Sequence, residues 1–237
     1  AEAGIRRGSE RRGGCRTPKG GGTPTSTWSL ESGFEYEPRV RSTLNRLFPG
    51  TAALGYARQS LAAAHLMTAQ RAMDDLVWNH ISARVLDADS SNQFLITPGE
   101  KMFEEVGPGD LVLGSDTENE TGDIIHGAIY KARPDVKAIV HSHTPAIVAV
   151  STLPGGLRFL SQDAARFFER VAVHPYEGLS TSRDEERRLG AAMGAELMPG
   201  AGLPVVLMMA NHGGVTVGRS VEEAWVRMYY LDVICKQ

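Results

Sequence analysis

The stretch from Val136 to Ala146, VKAIVHSHTPA, sets His141 and His143 one residue apart at the end of an apolar run. If residues 136–143 form a β-strand, side chains two apart point to the same face, so the two imidazoles project side by side. They could then share one metal ion. The alternative is a strand end whose histidines only satisfy local hydrogen bonds, and these two residues alone leave both interpretations open.

The segments around this strand have the pattern of an α/β layered domain. Helices are predicted from about Ala57, over 121–133 up to Pro134, over 144–152, from Ser182 to about Leu197 and from Ser220 onward. Strands are predicted at 78–85, 93–97, 110–114, 136–143, 170–178 and in the apolar segment 204–210. The turn-separated early strands indicate a central, largely antiparallel sheet with helices on its faces.

Composition and charge exclude several classes of function. The 237 residues are 42% hydrophobic and 22% charged, which is typical of one globular domain, and a net charge of −3 argues against nucleic acid as a partner. The two cysteines, Cys15 and Cys235, do not suggest a disulfide framework. No apolar run approaches the roughly 20 residues that cross a bilayer. We therefore expect a cytoplasmic protein without a transmembrane segment, with an organelle transit segment left open.

The N-terminal part differs in composition from the rest of the chain. Residues 1–24 contain seven glycines and six basic residues and have little to bury. This pattern predicts a disordered basic arm over 1–27, then a lead-in over 28–56 and one folded domain over 57–237. The arm could contact an acidic partner or could be a solvated tail.

A third histidine ends another predicted strand. His212 follows the apolar segment 204–210 and precedes two glycines that would let the backbone turn sharply. Three imidazoles with a vacant fourth position describe a catalytic site for zinc or another first-row metal better than a structural site, which four ligands would close.

Ordered blocks of the chain resemble the class II aldolase/adducin family over nearly all of 57–237. They are WNHISARV, FLITPGE, GDLVLG, HGAIYKARPDVKAIVHSHTPAIVAVS, LSQDAARFF, HPYEG and NHGGVTVGRSVEEAWVRMYYLD, and the adducin-like branch is the nearest. The resemblance implies a three-layer α/β/α sandwich and one divalent metal ion per subunit, held by His141, His143 and His212. It also implies a homotetramer.

Two positions depart from the sugar-phosphate aldolases of this family. Gly122 stands where those enzymes carry an acid/base glutamate, and the neighbouring Asp123 is either a substitute for it or a carboxylate that favours the helix start. Glu100 stands where a phosphate-cradling loop has glycine, which predicts repulsion of a phosphorylated sugar. The resemblance assigns substrate binding to the set Asn79, Thr97, Gly99, Thr121 and Gly122.

Other polar residues have two interpretations each. His80 is a substrate or proton-transfer group, or a turn histidine bonded to backbone. His174, Tyr176 and Glu177 form either a strand end that contributes an acid or base to a neighbouring subunit's cleft, or a structural corner. His126 could orient a ligand of the metal, and His65 is expected to serve packing or to lie at the surface.

Together these features predict a divalent-metal-dependent lyase of the aldolase or decarboxylase type. Zinc is expected first, with manganese or iron as alternatives, and the ion would stabilise an enediolate or enolate of a small hydroxy- or oxo-acid or sugar-like substrate. His80, Asp123 or a metal-bound water would move protons. The alternative is a non-catalytic adducin-like oligomeric head that contacts actin or spectrin.

Overall fold

The structure is a computed structural model that describes residues 51–85 and 93–237. Its helices are α1 (Thr51–Gln70), α2 (Glu120–Ala132), α3 (Pro145–Ser151), α4 (Arg183–Gly194) and α5 (Val221–Cys235). Its strands are β1 (His80–Arg84), β2 (Phe94–Ile96), β3 (Val112–Leu113), β4 (Ala138–Ser142), β5 (Val171–His174), β6 (Val206–Met209) and β7 (Gly213–Gly218). Short 3₁₀ helices cover Phe103–Glu105, Gly114–Asp116 and Ala164–Phe167.

The seven strands form one sheet in the order β3-β2-β1-β4-β7-β6-β5. Every neighbouring pair is antiparallel except β5 and β6, which are parallel. The predicted largely antiparallel sheet is therefore confirmed. The register pairs His80 of β1 with His141 of β4, so these side chains share one face of the sheet.

Helices cover both faces of this sheet. Helix α5 contacts both α1 and α3, and it packs on β4 and β7. On the other face α2 packs against α4, and Ser82 of β1 reaches the α2 residues His126 and Tyr130. The architecture is thus the expected three-layer α/β/α sandwich.

Local sequence explains the elements nearest the histidines. All five residues of β4 are buried, as its apolar run predicts. Helix α2 begins after Asn119, whose side chain accepts a hydrogen bond from the Gly122 backbone, and α3 begins after Thr144 with proline at its first turn. The caps set both helix starts beside the ends of β1 and β4.

Some predicted boundaries were wrong. The two glycines after His212 do not turn the chain, because they begin β7, a strand that the sequence pattern did not predict. Helix α4 ends at Gly194 and not at Leu197, and the strand predicted at 170–178 is limited to Val171–His174. The Ser182 side chain caps α4 by accepting a hydrogen bond from the Asp184 backbone, whereas the Glu185 carboxylate is buried against His174 and Ser180.

The N-terminal predictions are only partly covered by the structure. The basic arm predicted over 1–27 lies outside the described residues, and so does most of the lead-in predicted over 28–56. Helix α1 begins at Thr51, inside that lead-in. Within the described ranges, every helix is too short or too polar to cross a lipid bilayer.

Candidate metal centre

Three histidines from two separate parts of the sheet meet at one point. His141 is the second-last residue of β4 and His143 directly follows the strand, while His212 lies in the turn between β6 and β7. One nitrogen from each ring lies within 4.8 Å of the other two. The ring centroids are 4.6 Å apart for His141 and His143, 5.0 Å for His141 and His212, and 4.9 Å for His143 and His212. The structure thus brings the predicted ligand set together.

The hydrogen bonds of this triad leave its metal-binding nitrogens free. His141 donates from Nδ1 to the backbone oxygen of Gly214 (3.1 Å), and His143 donates from Nδ1 to Oδ2 of Asp75 (3.3 Å). Their Nε2 atoms then carry lone pairs and face each other 2.8 Å apart. Two facing lone pairs repel unless a cation lies between them, so the donor set fits a bound divalent ion.

Burial also keeps these imidazoles in the form that binds metal. Desolvation holds the pKa of His212 at about 4 and lowers the pKa of His141 and of His143, although Asp75 opposes the shift at His143. Neutral imidazoles are therefore present at neutral pH without any protein rearrangement.

Gly213 allows β4 and β7 to approach beside the triad. A Cβ atom on this residue would lie 2.7 Å from the backbone oxygen of Ser142 and 2.8 Å from Cδ2 of His143. The turn itself places Asn211, not a glycine, at a positive φ of 55°. The glycine after His212 is thus needed for close packing at the site and not for the turn.

A second imidazole pair lies behind His141. The His80 ring stacks on the His141 ring with centroids 4.7 Å apart, and Nδ1 of His80 is 2.7 Å from Nε2 of His126. His126 in turn contacts Ser82, so it supports His80 and not a triad histidine. Among the described residues, Nε2 of His80 is buried without a hydrogen-bond partner. A buried polar atom of this kind indicates a ligand or water at that position.

At the start of helix α2, the neighbouring residues Gly122 and Asp123 have different surroundings. Gly122 lies against His80, since a Cβ atom there would be 3.4 Å from Cδ2 of that ring. The Asp123 carboxylate instead accepts a hydrogen bond from Arg183 (3.2 Å) and lines a shallow pocket with Phe94 and Lys131. None of the triad histidines lines that pocket. The structure therefore brings Gly122, and not Asp123, to the histidines.

The remaining predicted substrate contacts have different surroundings. Both side-chain polar atoms of Asn79 are buried without a partner among the described residues, which is a second indication of a ligand beside His80. Thr97 is buried and bonded to His65 and to the backbone of Ile81, so its hydroxyl is already used. The Thr121 hydroxyl donates to Asn119 (2.6 Å), and Gly99 lies against the backbone of that same asparagine.

The corner after β5 contains a buried polar cluster of His174, Ser180 and Glu185. His174 contacts Glu185 through Nε2 (3.2 Å), and Ser180 donates to the same carboxylate oxygen (2.9 Å). Glu177 forms an ion pair with Arg188, and Tyr176 is exposed. These contacts favour the structural corner for His174 and Glu177, while an acid or base for a neighbouring subunit's cleft stays a prediction. His65 joins Leu61 to Thr97 inside the core, which confirms its packing role.

Three contributors to the site were not predicted from the sequence. Asp75 lies in a loop before β1, and its contact with His143 depends on loop geometry that no periodic pattern encodes. Ser82 and Tyr130 could have been found, because Ser82 is two residues from His80 on one strand and Tyr130 is four residues from His126 on one helix.

Comparisons with known proteins agree with this architecture. Residues 59–237 match the family model described as the Class II Aldolase and Adducin N-terminal domain. An aldolase II superfamily protein from Pseudomonas syringae is 33% identical, with a TM-score of 0.71 over 81% of this chain and 77% of that one. The L-fuculose 1-phosphate aldolase from Glaciozyma antarctica PI12 is 26% identical, with a TM-score of 0.65 over 80% and 74%. Alpha-adducin of Rattus norvegicus is 36% identical over 191 residues, which are 76% of this chain and 25% of that protein.

Proposed function

Because this chain belongs to the class II aldolase and adducin family, we propose that it is a divalent-metal-dependent lyase of the aldolase or decarboxylase type. The single observation that supports this most is that three histidines converge and that each offers one ring nitrogen to the same ion. In His141 and His143 this nitrogen is Nε2, because Nδ1 already donates a hydrogen bond. A structural head has no physical need for such a set, since facing unpaired lone pairs destabilise a fold.

His141, His143 and His212 would hold the metal, for which zinc is the first candidate and manganese or iron are alternatives. When bound, the ion would supply a Lewis acid that stabilises negative charge on a substrate oxygen. Gly214 and Asp75 orient the two β4-side histidines by accepting their Nδ1 hydrogens. Three protein ligands would leave a further position of the ion to the substrate.

Asn79 and His80 are the groups we propose for substrate binding and proton transfer. Both carry buried polar atoms without partners among the described residues, and His80 stacks on the ligand His141. Asp123 is a weaker candidate for proton transfer, because its carboxylate is bonded to Arg183. Gly122 would serve the site by leaving room for the His80 ring.

We propose a small hydroxy- or oxo-acid, or a sugar-like analogue, as the substrate. Glu100, in the loop after β2, would place a negative charge where a phosphorylated sugar carries its own, although a related structure is an L-fuculose 1-phosphate aldolase. We also propose that the protein is cytoplasmic and forms a homotetramer. Light scattering on the purified chain can measure the oligomeric state.

Metal analysis of three variants tests the proposal. His141→Ala, His143→Ala and His212→Ala should each lose the ion that the purified parent contains, and should lose carbon–carbon cleavage of a hydroxy- or oxo-acid panel followed by NMR. Their melting temperatures should stay near that of the parent, because an apolar core of sheet and helices holds the fold. Variants that bind zinc or manganese as tightly as the parent would show that the histidines are structural.

The second candidate is a non-catalytic adducin-like head that contacts actin or spectrin. It is favoured by Gly122, which lacks the carboxylate expected for the aldolases, and by the identity with alpha-adducin. A well-folded parent without metal that cosediments with actin or spectrin would favour this candidate over the lyase. Stoichiometric metal together with turnover would exclude it.

A further inference from the structure

A continuous chain of buried hydrogen bonds leads from helix α2 to His80, the ring that stacks on His141 of the candidate metal centre. The Tyr130 hydroxyl lies 2.9 Å from Oγ of Ser82, which lies 2.5 Å from Nδ1 of His126, and Nε2 of His126 lies 2.7 Å from Nδ1 of His80. All four side chains are at most 1% exposed. The chain ends at Nε2 of His80, which has no protein partner in the described ranges.

The direction of this chain follows from counting hydrogens. The Tyr130 hydroxyl has Ser82 as its one hydrogen-bond partner among described residues, so it must donate to Ser82 or leave its hydrogen unpaired in the core. Ser82 has one hydrogen and then donates it to Nδ1 of His126. A neutral His126 therefore carries its hydrogen on Nε2 and donates it to Nδ1 of His80.

The same count of hydrogens also determines the tautomer of His80, the last ring of the chain. Since Nδ1 of His80 accepts, a neutral His80 carries its single hydrogen on Nε2, the unpartnered atom. The reverse direction would leave two groups unpaired, the Tyr130 hydroxyl hydrogen and the His80 Nε2 lone pair. The forward direction leaves only the Nε2 hydrogen, which makes it the more stable arrangement.

This hydrogen is on the ring nearest to the metal ligands. The His80 and His141 rings stack at 4.7 Å with 29° between their planes. The ring carbon next to Nε2, Cδ2, packs against Gly122, so a side chain at position 122 would meet this edge of the ring. This edge of the His80 ring therefore faces the start of helix α2 at Gly122.

We propose that Tyr130, Ser82 and His126 fix His80 as its Nε2–H tautomer, so that His80 donates a hydrogen bond to an anionic oxygen of the substrate. This inference rests on the lyase function proposed above: His80 binds the substrate as a hydrogen-bond donor through Nε2 and is not a metal ligand. A fixed donor stabilises charge that develops on a substrate oxygen. Ser82, His126 and Tyr130 act on the substrate only through His80 and are positioning residues.

Nitrogen NMR of the metal-free protein tests the tautomer directly. In protein labelled with ¹⁵N-histidine, two-bond proton–nitrogen correlations should show His80 and His126 protonated at Nε2 and unprotonated at Nδ1. The measurement needs no substitution and no metal. Protonation of His80 at Nδ1 would overturn the proposal.

A matched pair of serine variants tests the positioning chain. Ser82→Ala removes the donor to His126 and should convert His80 into a mixture of both tautomers. Ser151→Ala is the control, because this buried serine on α3 donates to the backbone of Val148 and should leave the His80 signals unchanged. If Ser82→Ala keeps His80 fully protonated at Nε2, these residues do not fix it and the proposal is wrong.

Calorimetric titration with oxalate tests the donor role in zinc-loaded protein. His80→Leu should bind oxalate at least tenfold more weakly with unchanged zinc content, and His80→Gln, which keeps an amide donor, should recover part of the affinity. Loss of zinc in His80→Leu would make His80 a ligand, and unchanged oxalate affinity would remove its donor role. If the unsubstituted protein does not bind zinc, the lyase function is contradicted. The NMR spectrum of the metal-free protein would still determine the tautomer of His80.

Discussion

Substitution of Gly213 by alanine should damage the metal centre through the backbone. The added Cβ would lie 2.7 Å from the Ser142 oxygen and 2.8 Å from the His143 ring, so β4 and β7 must separate by about 0.7 Å to restore an ordinary 3.4 Å contact. Overpacking of this kind costs about 1–3 kcal/mol, and 2 kcal/mol lowers the melting temperature of a protein this size by roughly 4–8 °C. Because His143 must move as well, we expect zinc affinity to fall by roughly 10–100-fold.

The assay is a competition titration of zinc against a chromophoric chelator, with thermal melts on the same samples. Gly127→Ala is the control, because a Cβ in this interior position of helix α2 would lie 3.8 Å from its nearest neighbour, an oxygen of Asp123. This change should stabilise the protein by roughly 0.5–1 kcal/mol and leave zinc affinity unchanged. A Gly213→Ala protein with parental zinc affinity and melting temperature would refute the argument that the close approach of the strands sets the ligand geometry.

Three further predictions concern other parts of the chain. Burial holds the pKa of His65 at about 4, below its usual 6.5. The contribution of the neutral ring to the stability of the fold is therefore complete above pH 6.5 and is lost as pH falls toward 4. Urea unfolding at several pH values gives the free energy of unfolding as a function of pH. Between pH 4 and 6.5 its slope should be about 1.4 kcal/mol per pH unit smaller in His65→Gln than in the parent, and equal slopes would contradict the assignment. Glu100→Gly should strengthen phosphate binding measured by calorimetry, whereas unchanged affinity would revive a sugar-phosphate substrate. Removal of residues 1–24, which have few apolar side chains, should leave the melting temperature nearly unchanged, and a large drop would reveal a structural role.

The sequence predicted the sheet around the histidines because its strands follow simple periodicity. A period of two put His141 and His143 on one face, and burial of β4 confirms the strand itself. Strand β7 was missed because Gly213 and Gly214 suggest a turn, whereas both are packed against neighbouring atoms within a strand. A local propensity could not reveal that tertiary contact.

Position 122, where the family's aldolases carry an acid/base residue, shows the same contrast between what sequence periodicity predicts and what only tertiary contacts decide. Gly122 and His126 are four residues apart on α2, so helical spacing alone turns Gly122 toward the histidines and Asp123 away from them. The contact of Asp75 with His143 could not be predicted in this way. It requires a loop in which Ala72 and Leu76 adopt positive φ angles of 50° and 49°.

The unequal supports of His141 and His143 have a kinetic consequence. His141 is held by a backbone carbonyl within the sheet, whereas Asp75, which holds His143, is 47% exposed on that loop. Loop motions are faster and larger than motions of a central strand. If the triad binds an ion as proposed, we therefore expect His143 to detach first, so that the ion would enter and leave from the loop side while His141 stays in place. Changes in the loop would then alter the lifetime of the bound ion more than the shape of its site.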